Sequence, residues 1–340
     1  MRFFCWFGAF ALLVIPGASW AQTAKPDCAT PHSHYKVMAL PLHPVRINQS
    51  GEIAGTTEDH QLATWTAKDG LHEINLPLGF SAAEPTGIDG AGDLVGFETR
   101  EGSNHTVAFR YAGGQLLVLS EERSKAAAIN DSGITIGMNA DRLVWWLERK
   151  MLPLGGCCGG IAHAINRRGV AVGEANDKDG RYGAFLWDSA HGLRSIAPPH
   201  AAMSTALAIN DSGHVLLQAF TPNAVYLRQS NREKGALIPV HLAPEGASQP
   251  LALNGCDVMV GEYGAASDFY HAFVWDRQHG FRDLNNMIDG SEGWNLEQAV
   301  DINDRGEIIG VGDRGNQQDL GFLLVPDAKQ DHRGHRGAPR

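Results

Sequence analysis

The sequence predicts an all-β fold, a seven-bladed β-propeller of four-stranded blades closed by an N-terminal strand. Three observations predict it. A unit recurs seven times: a strand ending in Ile-Asn, a turn through Asp-x-Gly, an x-Val-x-Gly strand and an Ala-Phe-x-Trp strand. From Asn48 to Asn303 the copies span 255 residues in six steps, a mean period of about 42, within the range of propellers and related arrays. The two ends are complementary: the seventh copy lacks a fourth strand, and an unassigned apolar strand, 34–40, precedes the first copy.

The first half of the unit reads Ile47-Asn48-Gln49-Ser50-Gly51, Ile88-Asp89-Gly90-Ala91-Gly92, Ile129-Asn130-Asp131-Ser132-Gly133 and Ile165-Asn166-Arg167-Arg168-Gly169. It recurs as Ile209-Asn210-Asp211-Ser212-Gly213, Leu253-Asn254-Gly255-Cys256-Asp257 and Ile302-Asn303-Asp304-Arg305-Gly306. The second half includes Ala108-Phe109, Ala184-Phe185-Leu186-Trp187, Ala272-Phe273-Val274-Trp275 and Gly321-Phe322, followed by a short Asp/Gly turn and a last apolar strand. Four strands of about five residues between Gly, Asn and Asp clusters form an all-β unit. One such sheet cannot bury both faces. Seven stacked in a ring can, and closure leaves only short edges.

Around this body the sequence predicts three flanking segments. Residues 1–21 read as a secretory signal: Arg2, an apolar run from Phe3 to Ile15, and Ser19-Trp20-Ala21 as a small-x-small cleavage site. Residues 22–33 form a lead, 34–327 the propeller, and 328–340 a disordered basic tail. The expected location is secreted or periplasmic, with no membrane span in the mature chain and a monomeric state. Of the formal charge of −10, Arg2 contributes +1 and the tail +3, so residues 22–327 carry −14. A surface of that sign repels phosphate backbones and excludes nucleic acid as a partner.

The pieces His271-Ala272-Phe273-Val274-Trp275-Asp276 and Ala208-Ile209-Asn210-Asp211-Ser212-Gly213 resemble the extracellular HAF-repeat family, and the resemblance covers nearly all of 22–327. It implies an exported bacterial protein and carries no catalytic residues with it. The sixth copy departs from the pattern, which leaves its turn geometry open.

Strand order sorts the connections. With strands A to D running outward from the axis, A–B and C–D turns share one face, here the turn face. B–C and D–A loops share the other, the loop face. The long, dissimilar connections (97–106, 174–182, 262–270, 198–205 and 285–297) all fall on the loop face, where binding normally resides. The candidate ligand-binding residues there are Glu98, His105, Glu174, Asp177, Arg181, His200, Asp268, Tyr270, Trp294 and Asp313. Aromatic rings that stack on sugars, together with carboxylates that bond hydroxyls, suit a carbohydrate. The repeated Asn and Asp read as turn formers that bond their own backbone, not as a calcium site. No metal or cofactor is expected.

Four cysteines remain after the signal, an even number suited to an oxidising compartment. The face argument pairs Cys28 with Cys256 and leaves Cys157–Cys158 as a vicinal bridge. No nucleophile signature appears. The expected function is a non-catalytic exported binding propeller that recognises an extracellular polysaccharide or surface protein through its loop face. The alternative is a polysaccharide-acting hydrolase or lyase with its site at the axial mouth.

Overall fold

The computed structural model describes residues 33–327, except 103–104, 156–158, 178, 221, 230–234, 244–247, 265–269 and 291–292. The signal, most of the lead, the tail, Cys28, Cys157, Cys158 and Asp268 lie outside the described residues.

Twenty-eight strands pair into seven four-stranded antiparallel sheets arranged in a ring. Blade one spans 43–73, blade two 80–118, blade three 124–153, blade four 160–195, blade five 204–240 and blade six 248–283. Blade seven takes its A, B and C strands from 294–326 and its D strand from β1 (Tyr35–Ala39), so its order is the last three strands followed by the first. Tyr35 lies opposite Pro326 and Ala39 opposite Phe322. The ring is therefore closed by its N-terminal strand, as the two ends of the sequence require.

The core is divided by seam. Seven buried apolar clusters fill the seven junctions between neighbouring blades. In the one between blades one and two, Leu62 and Ala54 meet Leu94 and Phe109. The third-strand aromatics supply much of this packing: Phe109, Phe185, Phe273, Phe322 and Trp146 are fully buried. Such side chains dominate core energetics because each removes a large apolar area from water.

Each A strand carries a bulge at the same place. The register shifts between Pro44 and Arg46, Pro85 and Gly87, Ala126 and Ala128, Ala162 and Ala164, Ala206 and Ala208, Pro250 and Ala252, and Ala299 and Asp301. A bulge bends the strand and re-aims one side chain. It also explains the glycine of x-Val-x-Gly. A Cβ on Gly96, Gly173 or Gly310 would lie 2.0 Å from the carbonyl oxygen of Glu84, Ile161 or Gln298 on the adjoining A strand. The glycine makes room for the displaced carbonyl. Blade five carries Leu217 at the corresponding position, and nothing in the structure explains how it is accommodated.

Candidate binding face

The turn face is tied shut by the repeated asparagines. Each Oδ1 accepts the backbone amide four residues on, and all but that of Asn210 also accept the amide two residues on; Asn254, for example, accepts from Cys256 at 3.0 Å and from Val258 at 2.9 Å. The sixth turn thus matches the others despite its departure in sequence, with Asp257 taking the left-handed conformation (φ 62°) that Gly supplies elsewhere. This half is the local turn chemistry that the sequence predicts.

The other half of the asparagine is what sequence reasoning missed. Its Nδ2 donates to the asparagine-position carbonyl of the next blade: Asn130 to Asn166 at 2.9 Å, Asn166 to Asn210 at 3.1 Å, Asn210 to Asn254 at 3.0 Å and Asn254 to Asn303 at 3.1 Å. Asn303 donates to Asn48 at 3.2 Å across the closure, and Asn48 to Asp89 at 3.0 Å. Six of seven links form a girdle around the axis. The seventh would run from position 89 to Asn130, and Asp89 has no amide to give. Burial raises the Asp89 carboxyl above its usual value, against the amides of Asp93 and Ala91 that lower it. The signal for the girdle was present in the recurrence of Asn in six of seven copies, where a turn alone would accept Asp or Ser.

Bulged residues face the axial channel, among them Thr86, His163, Leu207, Leu251 and Val300, beside the small neighbours Gly87, Ala128, Ala164, Ala208 and Ala252. Arg46, His163 and Asp301 are the ionisable groups in this lining. Asp301 accepts the Ile47 and Ile302 amides at 3.0 and 2.9 Å, and burial raises its pKa against the opposing effect of Arg46. Burial lowers the pKa of His163, and its Nε2 is buried without a partner.

The loop face differs in degree, for the turn half carries exposed Leu71, Leu147 and Met151. Five exposed large apolar side chains lie there, namely Leu78, Ile161, Met203, Phe220 and Tyr270. Buried polar atoms without partners also collect in this half: both Glu98 oxygens, Asn139 Oδ1, Thr205 Oγ1, Ser248 Oγ and Trp294 Nε1. Ser248 contrasts with its equivalents. Ser124 Oγ accepts the Ala108 amide at 2.9 Å and Ser204 Oγ accepts the Ala184 amide at 3.1 Å, each tying one blade to its neighbour.

The candidate residues divide by position. Tyr270 is exposed, as are Arg181 and His200. His105 is half-buried, its Nε2 3.2 Å from the Glu121 carbonyl. Asp177 accepts the Asp179 and Arg181 amides at 2.8 and 2.9 Å and so shapes its own loop. Asp313 accepts the Asp319 amide at 3.1 Å. Burial raises the pKa of Tyr182, and the charge of Glu174 and a hydrogen bond to it raise it further. Trp294 packs edge-on against Phe322 at 6.2 Å, with Arg314 5.7 Å from its ring, so its surface is largely spent on the seam between blades six and seven.

Glu98 is located elsewhere than the sequence suggests. It is fully buried on the side of its strand that faces blade one, and burial pushes its carboxyl up to about 7. The alternation along x-Val-x-Gly places the second residue after the glycine in a seam, where Asn139, Ala175 and Ala219 are also buried.

One polar cluster was not anticipated. Tyr263 donates to Asp283 Oδ2 at 2.9 Å, and His271 Nδ1 lies 2.9 Å from the same oxygen. Tyr263 stacks edge-on against Phe281 at 4.9 Å. Burial first, then Asp283, pushes the phenol up to about 12, so it is not activated as a base. The cluster joins the second, third and fourth strands of blade six, not the axial mouth.

No known family matches the chain, and no curated protein matches it. Solved structures do. Virginiamycin B lyase from Staphylococcus aureus is 10% identical, with 86% of this chain and 99% of that one covered at a TM-score of 0.57. YCF48 bound to D1 peptide is 10% identical, covering 90% and 97% at 0.54. The WD40 propeller domain of Doa1 is 13% identical, covering 88% and 96% at 0.52. At such identities the likeness concerns the fold. The chain is a seven-bladed β-propeller.

Proposed function

We propose that the protein is an exported binding module that recognises an extracellular polymer or surface protein through its loop face. The observation that carries this reading is the asymmetry between the faces. Asparagine hydrogen bonds consume the polar groups of the turn face within the ring. The loop-face half holds the larger share of both the unpartnered polar atoms and the exposed apolar side chains, against Arg110 Nε and Trp146 Nε1, and Leu71, Leu147 and Met151, in the turn half. Exposed aromatic and aliphatic groups beside unsatisfied polar atoms are costly for a protein with no partner there. The propeller likeness to peptide-bound YCF48 and to a WD40 domain agrees with a binding role.

The export part of the reading rests on the first 21 residues and on the cysteines. The pairing of Cys28 with Cys256 belongs to it, with Cys28 outside the described residues. A disulfide there would tether the closing strand to the sixth blade.

Retention of the purified protein on insoluble cell-surface polysaccharides and on membrane-protein fractions tests the reading. Tyr270→Ala combined with Ile161→Ser removes two exposed loop-face groups without touching a core cluster. We expect retention by the parent and its loss in the double variant, with thermal unfolding unchanged. Equal retention of both proteins overturns the assignment of the loop face.

A further inference from the structure

We propose that the groove between blades five and six is a subsite for a neutral pyranose unit of an extracellular polysaccharide. This rests on the loop face being the binding face, and it names the ligand class. The groove is a cavity of about 340 Å³ whose lining includes Gln218, Phe220, Ser248, Gln249, Glu262 and Tyr270. Its size lies at the lower end of cavities that hold small ligands, about 300–1,000 Å³.

Topology brings these residues together. Gln218 and Phe220 lie at the loop-face end of the second strand of blade five, Ser248 and Gln249 open the first strand of blade six, and Gln249 is paired with Glu262. Tyr270 begins the third strand of blade six. Phe220 is 47% exposed and Tyr270 56% exposed, so each ring still has free surface. The faces of a pyranose that carry only C–H groups stack on such rings, which offer a large apolar area at little entropic cost.

The polar groups fit the ring's edge. A primary amide presents a donor and an acceptor side by side, which matches a vicinal diol, and Gln218 and Gln249 supply two. The Glu262 carboxylate is drawn toward blade seven by Gln298 Nε2 at 2.6 Å, so Glu262 borders the groove without aiming its charge into it. Ser248 Oγ is buried without a partner, although the equivalent serines bond the neighbouring blade. A sugar hydroxyl would satisfy it. The sign of the charge narrows the class further: a net −14 over residues 22–327 repels uronates and sulfated sugars.

Isothermal calorimetry with cellohexaose, maltohexaose, xylohexaose and N-acetyl-chitohexaose tests this on the full chain without its signal. At least one should bind saturably, and Tyr270→Ala and Gln249→Ala should each weaken it about tenfold. Met151→Ser, exposed on the opposite face, should bind as the parent does. No binding of any of the four at about 10 mM, a concentration that reveals even weak sites, overturns the subsite. So does binding that survives Tyr270→Ala and Gln249→Ala in folded protein. Capture of a surface protein or peptide through Ile161 and Tyr270, with all four sugars silent, also overturns it and leaves the wider loop-face reading standing.

Discussion

Asp89→Asn should stabilise the protein, because it completes the girdle. The six existing links span 2.9–3.2 Å, and the seventh fails only because a carboxylate faces the Asn130 carbonyl where an amide stands in every other blade. Two effects compete. The Asp89 carboxylate accepts the Ala91 and Asp93 amides at 2.9 and 3.0 Å, and those bonds are stronger to a charged acceptor. Against them stands the burial of that charge, and the net direction of the pKa, upward, shows that burial wins. Asparagine keeps both accepted bonds, removes the charge and adds one donated bond, worth about 0.5–1.5 kcal/mol net. The expected gain at pH 7 is about 1–2 kcal/mol, or roughly 2–4 °C in the unfolding midpoint. A folded pKa raised above the ordinary 3.8 means that Asp89 favours the fold only while protonated, and that contribution is lost as pH rises through the folded value. The advantage of the variant should therefore be full at pH 7 and shrink as pH falls below 3.8, where a protonated Asp89 can itself donate to Asn130. Denaturant unfolding at pH 7 and pH 3 measures both. No gain at pH 7, or an equal gain at both, would refute the reasoning.

Glu98 gives a second pH signature. With a folded pKa of about 7 against an ordinary 4.5, its contribution to stability is present at pH 4 and lost as pH rises through neutrality. The parent should lose about 2–3 kcal/mol between pH 5 and 9 that Glu98→Gln does not lose; parallel profiles in urea melts would contradict this. Gly261→Ala places a methyl 2.1 Å from the Gln249 carbonyl oxygen and should cost about 2 kcal/mol or more, read as a lower urea midpoint at unchanged slope. For the cysteines, a thiol label applied to denatured, unreduced protein should add no mass, and reduction should lower stability by about 2–5 kcal/mol. Two or more labelled cysteines in the unreduced sample would defeat the pairing.

The ring was legible because its signals are local and repeated: the Ile-Asn turn, the strand alternation and the missing fourth strand each state one element. The girdle was harder to see because an Asx turn accounts for Asn48 or Asn303 within one copy, while the donated bond crosses 36 to 255 residues. The site was least legible. Glu98 looked like loop-face chemistry from its position near a variable connection, yet the strand period turns it into a seam. Trp294 looked like a stacking platform, yet it packs edge-on with Phe322 in a seam. Phe220 and Gln249 escaped notice because nothing in a linear pattern shows that the end of one blade's second strand abuts the start of the next blade's first.

The facing of Tyr35 and Pro326 across one antiparallel pair also means that the two entry points of the polypeptide into the ring are neighbours in space. A short Gly-rich connector between them, with new ends opened at the 277–280 turn of blade six, would give a circularly permuted chain in which every blade is contiguous except the reopened one. The closing seam would then move to another sheet while the loop face stayed whole. A tag or partner domain could be carried at either new end without approaching the groove.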